Sequence, residues 1–229
     1  MIAQPPSVVV FDVNETLSDM RPLTRRFSDL GLPELAAKIW FASLLRDGFA
    51  LTATGGFEHF SSLGESALRT ILFDSDFDGD TDTAVSHVMA GFAALDVHPD
   101  VPDGVRRLAA TGIRLITLTN GAATVAEQLF TRAGIRDKFD ELLSVDTAGV
   151  WKPAPGAYQH AAQSCRTPLD EMMLVAVHPW DIDGASRAGM STAWINRTES
   201  PYPPYFSPPD VTVSRLTDLA GQIPSIKAR

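Results

Sequence analysis

The sequence predicts an α/β protein with a doubly wound parallel sheet and a helical insertion after the first strand. Three short apolar runs rich in β-branched residues, within 8–11, 113–118 and 172–177, are typical of strands buried on both faces. Helical patterns separate these runs, and repeated strand-then-helix units favour a parallel sheet. The core is therefore predicted to be Rossmann-like.

The stretch between the first two runs reads as helical throughout and predicts a separate cap. We expect a core domain formed by residues 1–17 and 98–229 and a helical cap formed by residues 18–97. Apolar residues spaced by three and four predict four cap helices, at 22–27, from 33 onward, at 60–73 and at 83–95.

An acidic segment at 74–82 interrupts the cap helices. Its alternating aspartates resemble the start of a calcium-binding loop, but the bidentate glutamate that closes an EF-hand loop is missing. A solvated turn that caps the next helix is the favoured interpretation.

The remainder of the core alternates strands and helices. Predicted helices lie at 102–110, 122–133, 155–164 and 184–188, and predicted strands at 113–120, 139–144, 172–177 and 192–195. A proline-rich loop at 201–209 precedes a last strand and helix within 211–223.

Composition excludes several classes of function. The net charge of −9 argues against a nucleic-acid partner, because binding to the phosphate backbone depends on clustered Lys and Arg. No apolar run reaches the roughly 18 residues of a membrane span. The first residues, MIAQPPS, lack the features of a secretory signal, and the single cysteine, Cys165, fits a reducing compartment. We expect a cytoplasmic protein that acts on a small molecule, without nucleic-acid or membrane partners.

Polar side chains gather where the predicted buried strands end, and one more follows a loop. They are Asp12, Asn14 and Thr16; Thr119 and Asn120; Lys152; and His178, Trp180, Asp181 and Asp183. In open α/β sheets, ligands bind in the crevice beyond the carboxyl ends of the strands. Each residue alone also suits a turn, a cap or a solvated loop. Together they supply a nucleophilic carboxylate, donors, a cation and a second carboxylate, as covalent catalysis by aspartate requires.

Four segments carry a resemblance to a known family. FDVNETL, LTN, WKPAPGAY and HPWDIDGA resemble, in order and spacing, the motifs of the haloacid dehalogenase superfamily, and most closely its type II L-2-haloacid dehalogenases. The resemblance implies that Asp12 attacks the substrate and forms an ester that water then hydrolyses. Lys152 would hold Asp12 ionised, and Thr16 would stabilise the oxyanion. Asp181 would orient Lys152 or the water.

The same resemblance assigns the remaining motif residues to the substrate. Thr119 and Asn120 would position the substrate carboxylate or the ester oxygen, and Tyr158 and Trp180 support the dehalogenase branch as expected substrate contacts. It also implies no metal cofactor and a possible homodimer formed through the cap.

Two alternatives stay open. Phosphatases of this superfamily usually carry a second aspartate two residues after the nucleophile, and this aspartate protonates the alcohol leaving group. Asn14 stands at that position here and cannot donate an acidic proton. A halide leaves without being protonated, so a dehalogenase needs no acid there. A phosphatase would hold Mg²⁺ with Asp12, Asn14, Asp181 and Asp183, although Asp183 also suits a helix cap at 184. The other alternative is a catalytically silent binding module of the same fold, against which the complete set of polar residues argues.

Three positions of the motifs depart from the dehalogenase pattern. An aromatic residue usually stands in place of Asn14, and serine and asparagine usually stand in place of Ala176 and His178. His178 either bonds Asp12 or the attacking water, or is a satisfied histidine at the edge of the core.

The cap also departs from the pattern. Counting from Trp40 puts Leu51 where the family has a substrate-binding arginine, which makes Arg46 the candidate replacement. A surface pair of Arg46 with Asp47 is the ordinary alternative. Trp40 and nearby phenylalanines are expected to form either an apolar pocket face or a helical core.

Overall fold

The computed structural model describes residues 5–223, and a six-stranded parallel sheet forms its centre. The strands are β1 (Val8–Phe11), β2 (Arg114–Thr119), β3 (Glu141–Ser144), β4 (Met172–Ala176), β5 (Ser191–Ile195) and β6 (Val211–Val213). Their spatial order is β3-β2-β1-β4-β5-β6, and all neighbouring strands are parallel. The predicted fold class is confirmed.

This strand order fixes where a ligand can bind. The chain moves outward from β1 to β3, returns to β4 on the other side of β1, and moves outward again to β6. The direction of winding therefore reverses between β1 and β4, and such a switch point opens a crevice at the carboxyl ends of the strands.

Helices cover both faces of the sheet. They are α1 (Leu23–Ser28), α2 (Leu35–Ala53), α3 (Phe60–Asp74), α4 (Thr81–Ala93), α5 (Val101–Ala109), α6 (Ala123–Arg132), α7 (Val145–Ala148), α8 (Pro155–Cys165), α9 (Pro179–Ala188) and α10 (Leu216–Leu219). Alternate side chains of β1 enter two different apolar clusters: Val8 and Val10 enter one, and Val9 and Phe11 enter the other. This explains why β1 is apolar at every position.

One predicted helix begins earlier than expected. The sequence prediction placed a helix at 184–188, but α9 begins at Pro179, directly after β4. Proline is favoured in the first turn of a helix, because its fixed φ suits the helix and no N–H is needed there. As a result, Trp180, Asp181 and Asp183 lie in the first turns of α9 and not in a loop before it.

Helices α1 to α4 form an insert that leaves and rejoins the core at one point. Ser18 and Val97 form an isolated antiparallel bridge, and the His98 N–H donates to the Leu17 carbonyl at 2.9 Å. Trp40 lies at the centre of this insert, fully buried against Phe27, Phe60 and Phe92. We call residues 18–97 the helical insert.

The acidic segment at 74–82 caps the helix that follows it, as predicted. The Asp80 carboxylate accepts a hydrogen bond from the Thr83 N–H at 2.7 Å at the start of α4. Within residues 5–223, no helix is both long and apolar enough to cross a membrane.

Trp151 joins the insert to the core. Its indole N–H donates to the Glu58 carbonyl at 3.0 Å, and its backbone N–H donates to the Thr52 hydroxyl at 3.1 Å. Gly48 of α2 lies directly over its ring, since a Cβ at Gly48 would come within 2.5 Å of the ring. The insert therefore packs on the residue that precedes Lys152.

We expect Gly48→Ala to destabilise the protein by roughly 1–3 kcal/mol, because the added methyl overpacks the contact with Trp151. In a helix interior without such a contact, alanine is about 1 kcal/mol more stabilising than glycine. The sign of the change in unfolding free energy therefore shows whether the contact with Trp151 dominates. Urea unfolding measures it. Gly91→Ala is the matched control, since its methyl would meet mainly the movable Arg26 side chain. A Gly48→Ala variant as stable as wild type would contradict the proposed contact.

Candidate functional site

The strands deliver the motif residues to one edge of the sheet. β1, β2 and β4 lie side by side in register, with Phe11 opposite both Thr117 and Val175. Asp12 therefore follows β1 at the switch point, next to the residues that follow β4. The first turn of α9 and the loop before α8 supply the remaining groups.

Lys152 is the centre of the site. Its Nζ lies 2.9 Å from Asp12 Oδ1 and 2.6 Å from Asp181 Oδ2, and its side chain is 0% exposed. Burial alone would lower the pKa of Lys152, but the two carboxylates raise it. Lys152 is therefore a permanently charged ammonium, because deprotonation would leave two buried carboxylates unpaired.

Asp181 is held from both sides. Its second oxygen accepts a hydrogen bond from the Tyr158 hydroxyl at 2.6 Å, and the whole residue is buried. Burial raises the pKa of Asp181, and the Lys152 ammonium opposes this shift. Tyr158 therefore orients Asp181, which in turn orients Lys152.

Asp12 has donors on both of its oxygens. Opposite the Lys152 contact, Asp12 Oδ2 accepts a hydrogen bond from the Thr16 hydroxyl at 2.6 Å and lies 3.2 Å from His178 Nδ1. Burial alone would raise the pKa of Asp12, but Lys152 and His178 together hold it well below its usual range. Asp12 is therefore an ionised carboxylate although it is only 3% exposed.

Asn120 fixes the backbone of Lys152. Its Oδ1 accepts from the Lys152 N–H at 2.9 Å, and its Nδ2 donates to the Lys152 carbonyl at 3.2 Å. Both ends of the amide are thus used to hold the Lys152 loop. Thr119 Oγ1 accepts from the Gly121 N–H at 2.9 Å, and the Asn14 amide packs against the same glycine.

His178 bridges two carboxylates. Its Nε2 lies 2.8 Å from Glu15 Oε2, while its Nδ1 faces Asp12. The ring stacks on Trp180 at 5.0 Å and packs against Phe41 of the insert at 6.2 Å. Burial alone would lower the pKa of His178, but the hydrogen bonds to Asp12 and Glu15 raise it to about 9. The imidazole is therefore an imidazolium at neutral pH.

Glu15 is the site residue that the sequence analysis missed. It stands inside the first motif between Asn14 and Thr16, and a charged side chain there was the available signal. Its backbone lies in the left-handed region at φ 61°, which favours glycine. Two of the phenylalanines considered for an apolar pocket face also contact the site: Phe41 packs on His178, and Phe49 packs on Trp180 at 5.0 Å.

Three predicted residues lie apart from this cluster. Arg46 is on the surface, where its 71% exposed side chain pairs with Asp47, as the ordinary alternative anticipated. Trp40 belongs to the core of the insert, and its indole N–H donates to the Gly64 carbonyl. Asp183 accepts from Arg187 Nε and from the Ser207 N–H, both at 2.8 Å, so it ties α9 to the loop before β6.

These contacts do not fit a magnesium ion. Both oxygens of Asp181 are taken by Lys152 and Tyr158, and both oxygens of Asp183 by Arg187 and Ser207. A divalent cation needs several free oxygen ligands and would face the Lys152 ammonium. Among residues 5–223, no three His, Cys, Asp or Glu side chains form a group that could hold a metal.

A groove of about 1080 Å³ runs between the insert and the core and reaches the site. It is lined by Glu15, Phe41 and His178, together with residues from α1 and from the segment after β5. His178 therefore lies between the groove and Asp12. The groove gives small molecules access to Glu15 and His178 at the edge of the site.

The chemistry available here is nucleophilic attack by a carboxylate. An ionised, desolvated Asp12 is held by an ammonium, a hydroxyl and an imidazolium, all placed to stabilise charge that develops on its carboxyl group.

Comparisons with known proteins identify relatives of this chain. Residues 6–189 match the family described as haloacid dehalogenase-like hydrolases. The (S)-2-haloacid dehalogenase of Pseudomonas sp. strain YL is 30% identical over 210 residues, which cover 91% of this chain and 90% of that protein. (S)-2-haloacid dehalogenase H-109 of Pseudomonas putida is 29% identical over 196 residues, 85% of this chain and 87% of that protein. The crystal structure of an L-2-haloacid dehalogenase superposes on this structure with a TM-score of 0.89 and 26% sequence identity. The match covers 96% of this chain and 99% of the dehalogenase chain.

We expect His178 to stabilise the fold fully below the pKa of an unfolded histidine, about 6.5. The pKa of His178 is higher in the folded protein than in the unfolded chain, so its charged form is the one that stabilises the fold. This contribution should therefore be lost as the pH rises through about 9. The difference in free energy of unfolding between wild type and His178→Asn should shrink by roughly 3 kcal/mol over this interval.

Urea unfolding across this pH range measures that difference. His59→Asn, which removes an exposed histidine of the insert, is the control. A difference between wild type and His178→Asn that stays constant with pH would show that His178 is not held by its two carboxylates.

Proposed function

The chain belongs to the haloacid dehalogenase-like hydrolases, as its four motifs predicted, and we propose that it hydrolyses the carbon–halogen bond of a 2-haloacid through an ester on Asp12. The reaction would need no metal. The names of the similar proteins, (S)-2-haloacid dehalogenases and an L-2-haloacid dehalogenase, support this choice of substrate class.

The observation that carries the proposal is the buried pair of Asp12 and Lys152. With Nζ 2.9 Å from Oδ1, Lys152 keeps the carboxylate ionised at a place where burial would otherwise protonate it. A carboxylate without its hydration shell is poised to attack carbon, since no water must be removed first.

In the first step an oxygen of Asp12 attacks C2 of the haloacid. The new O–C bond forms as the carbon–halogen bond breaks, and the halide leaves with its electron pair. This departure needs no proton, in keeping with Asn14 where an acid would be required for an alcohol leaving group.

In the second step water attacks Cγ of the Asp12 ester. The bond between Cγ and the ester oxygen breaks, the 2-hydroxyacid leaves, and the carboxylate is restored. Lys152 and the Thr16 hydroxyl would stabilise the tetrahedral oxyanion, and the Val177 N–H, which donates to Thr16 Oγ1 at 3.0 Å, orients that hydroxyl.

The other site residues receive supporting roles in this proposal. Tyr158 and Asp181 orient Lys152, and Asn120 holds its backbone. Thr119 and Asn14, together at Gly121, would contact the substrate carboxylate. We propose that the helical insert acts as the cap, with Phe41 and Phe49 closing the apolar side of the site.

We expect chloride release from L-2-chloropropionate that persists in EDTA and falls by at least about 10³-fold in Asp12→Asn, because the amide cannot act as the nucleophile. Chloride titration measures it, and p-nitrophenyl phosphate with and without Mg²⁺ tests the phosphatase alternative in parallel. Asp183→Asn is the matched control and should retain most of the chloride release. Mg²⁺-dependent phosphate release without chloride would overturn the proposal, as would absence of turnover on either substrate.

A further inference from the structure

The Glu15–His178 pair has no assigned role in the two steps above, yet it touches the reacting carboxylate. The structure places His178 Nδ1 3.2 Å from Asp12 Oδ2 and His178 Nε2 2.8 Å from Glu15 Oε2. Resting on the proposed function, we propose that His178 is the base that activates the hydrolytic water in the second step, and that Glu15 is its positioning residue.

The ring is fixed in one orientation. Trp180 stacks on it at an interplanar angle of 21°, and Phe41 packs nearby. With Nε2 bound to Glu15, only Nδ1 can face Asp12. A neutral imidazole held in this way keeps its proton on Nε2 and presents a lone pair on Nδ1, as a base oriented by a carboxylate requires.

Ester formation itself would switch His178 into a base. In the resting enzyme two carboxylates favour the imidazolium, which is consistent with a pKa of about 9. Alkylation removes the charge of Asp12, so that Glu15 is the one carboxylate that still contacts the His178 ring. The other neighbours of the ring, Phe41 of α2 and Trp180 of α9, are uncharged. The imidazolium then releases the Nδ1 proton to solvent in the groove that His178 and Glu15 line.

The protons balance over the hydrolytic step. Nδ1 accepts one proton from the water as its oxygen bonds to Cγ, and returns it to the alkoxide oxygen as the bond from Cγ to that oxygen breaks. The second proton of the water stays on the restored Asp12 carboxyl group and passes to Nδ1, which regenerates the resting imidazolium. One proton is released per halide in the whole cycle.

Asp181 is less suited to this task. It is the other buried carboxyl group near Asp12, but its two oxygens are engaged by Lys152 and Tyr158 at 2.6 Å each. A base must have an unshared acceptor within hydrogen-bond reach of the water.

The backbone of Glu15 gives a second, independent indication. A residue other than glycine in the left-handed region costs roughly 1 kcal/mol or more, yet Glu15 lies there at φ 61°. Its N–H donates to Ser18 Oγ, and its carbonyl lies 2.9 Å from His98 Nε2, so the backbone position is held without the Glu15 carboxylate. The side chain therefore serves His178 and not the turn.

A rapid-quench experiment with enzyme in slight excess over L-2-chloropropionate separates the two steps. Chloride reports ester formation, lactate reports ester hydrolysis, and intact-protein mass reports the ester. His178→Asn should release about one equivalent of chloride but form lactate at least about 10²-fold more slowly, with the ester accumulating. His59→Asn should behave as wild type in both steps.

Glu15→Gly separates a positioning role from a structural one. Glycine relieves the backbone, so the unfolding midpoint should stay the same or rise. Lactate formation should nevertheless slow by about 10-fold or more while chloride release stays near wild type, and Glu15→Gln should recover part of the rate.

Three results would overturn the inference. Lactate formation in His178→Asn at the wild-type rate would remove His178 from the second step, and an equal loss of chloride and lactate formation would make its role general. Absence of chloride release by wild type would instead defeat the proposed function, and the inference with it.

Discussion

The site depends on the buried ammonium group of Lys152. Lys152 lies between Asp12 and Asp181 without contact to water, and isolated charges in such a place would be strongly destabilising. Removing Lys152 would leave two buried carboxylates without their shared cation, and removing either carboxylate would leave Lys152 with one partner. Tyr158 completes the hydrogen bonding of Asp181, and Asn120 anchors the backbone of Lys152. These neighbouring residues therefore hold Asp12, Lys152 and Asp181 in mutual contact.

The fold brings these charges together, and the helical insert shields them. β1 provides Asp12, α9 provides Asp181 in its first turn, and the loop before α8 provides Lys152. Trp151, adjacent to Lys152, is covered by Gly48 and stacks near Phe60 of the insert at 6.1 Å. Packing of the insert and placement of the cation are therefore linked through one loop, next to an Asp12 that is almost fully buried.

Much of this could be predicted from the sequence, because its signals are local. Buried strands show as apolar runs, and polar residues at their ends mark the edge of the sheet, which located Asp12 and Asp181. Lys152 lies in a loop and was identified by its place in the WKPAPGAY motif. Glu15 and the start of α9 were missed for different reasons. A positive φ at a glutamate goes against local preference, and it occurs here where the side chain contacts His178. Pro179 follows local preference as the first residue of α9, but the helical pattern was read only from residue 184. Arg46 was a candidate by its charge, but helix geometry places it toward solvent beside Asp47.

The central claim is that Asp12 is alkylated and its ester is cleaved at Cγ. A single turnover of L-2-chloropropionate in ¹⁸O-labelled water, with enzyme in excess, tests this claim most directly. The account predicts that mass spectrometry finds the label in the Asp12 carboxylate and unlabelled oxygen in the hydroxyl of the lactate. Label in the lactate, with Asp12 unlabelled, would mean that water attacks the substrate directly, and would contradict the account.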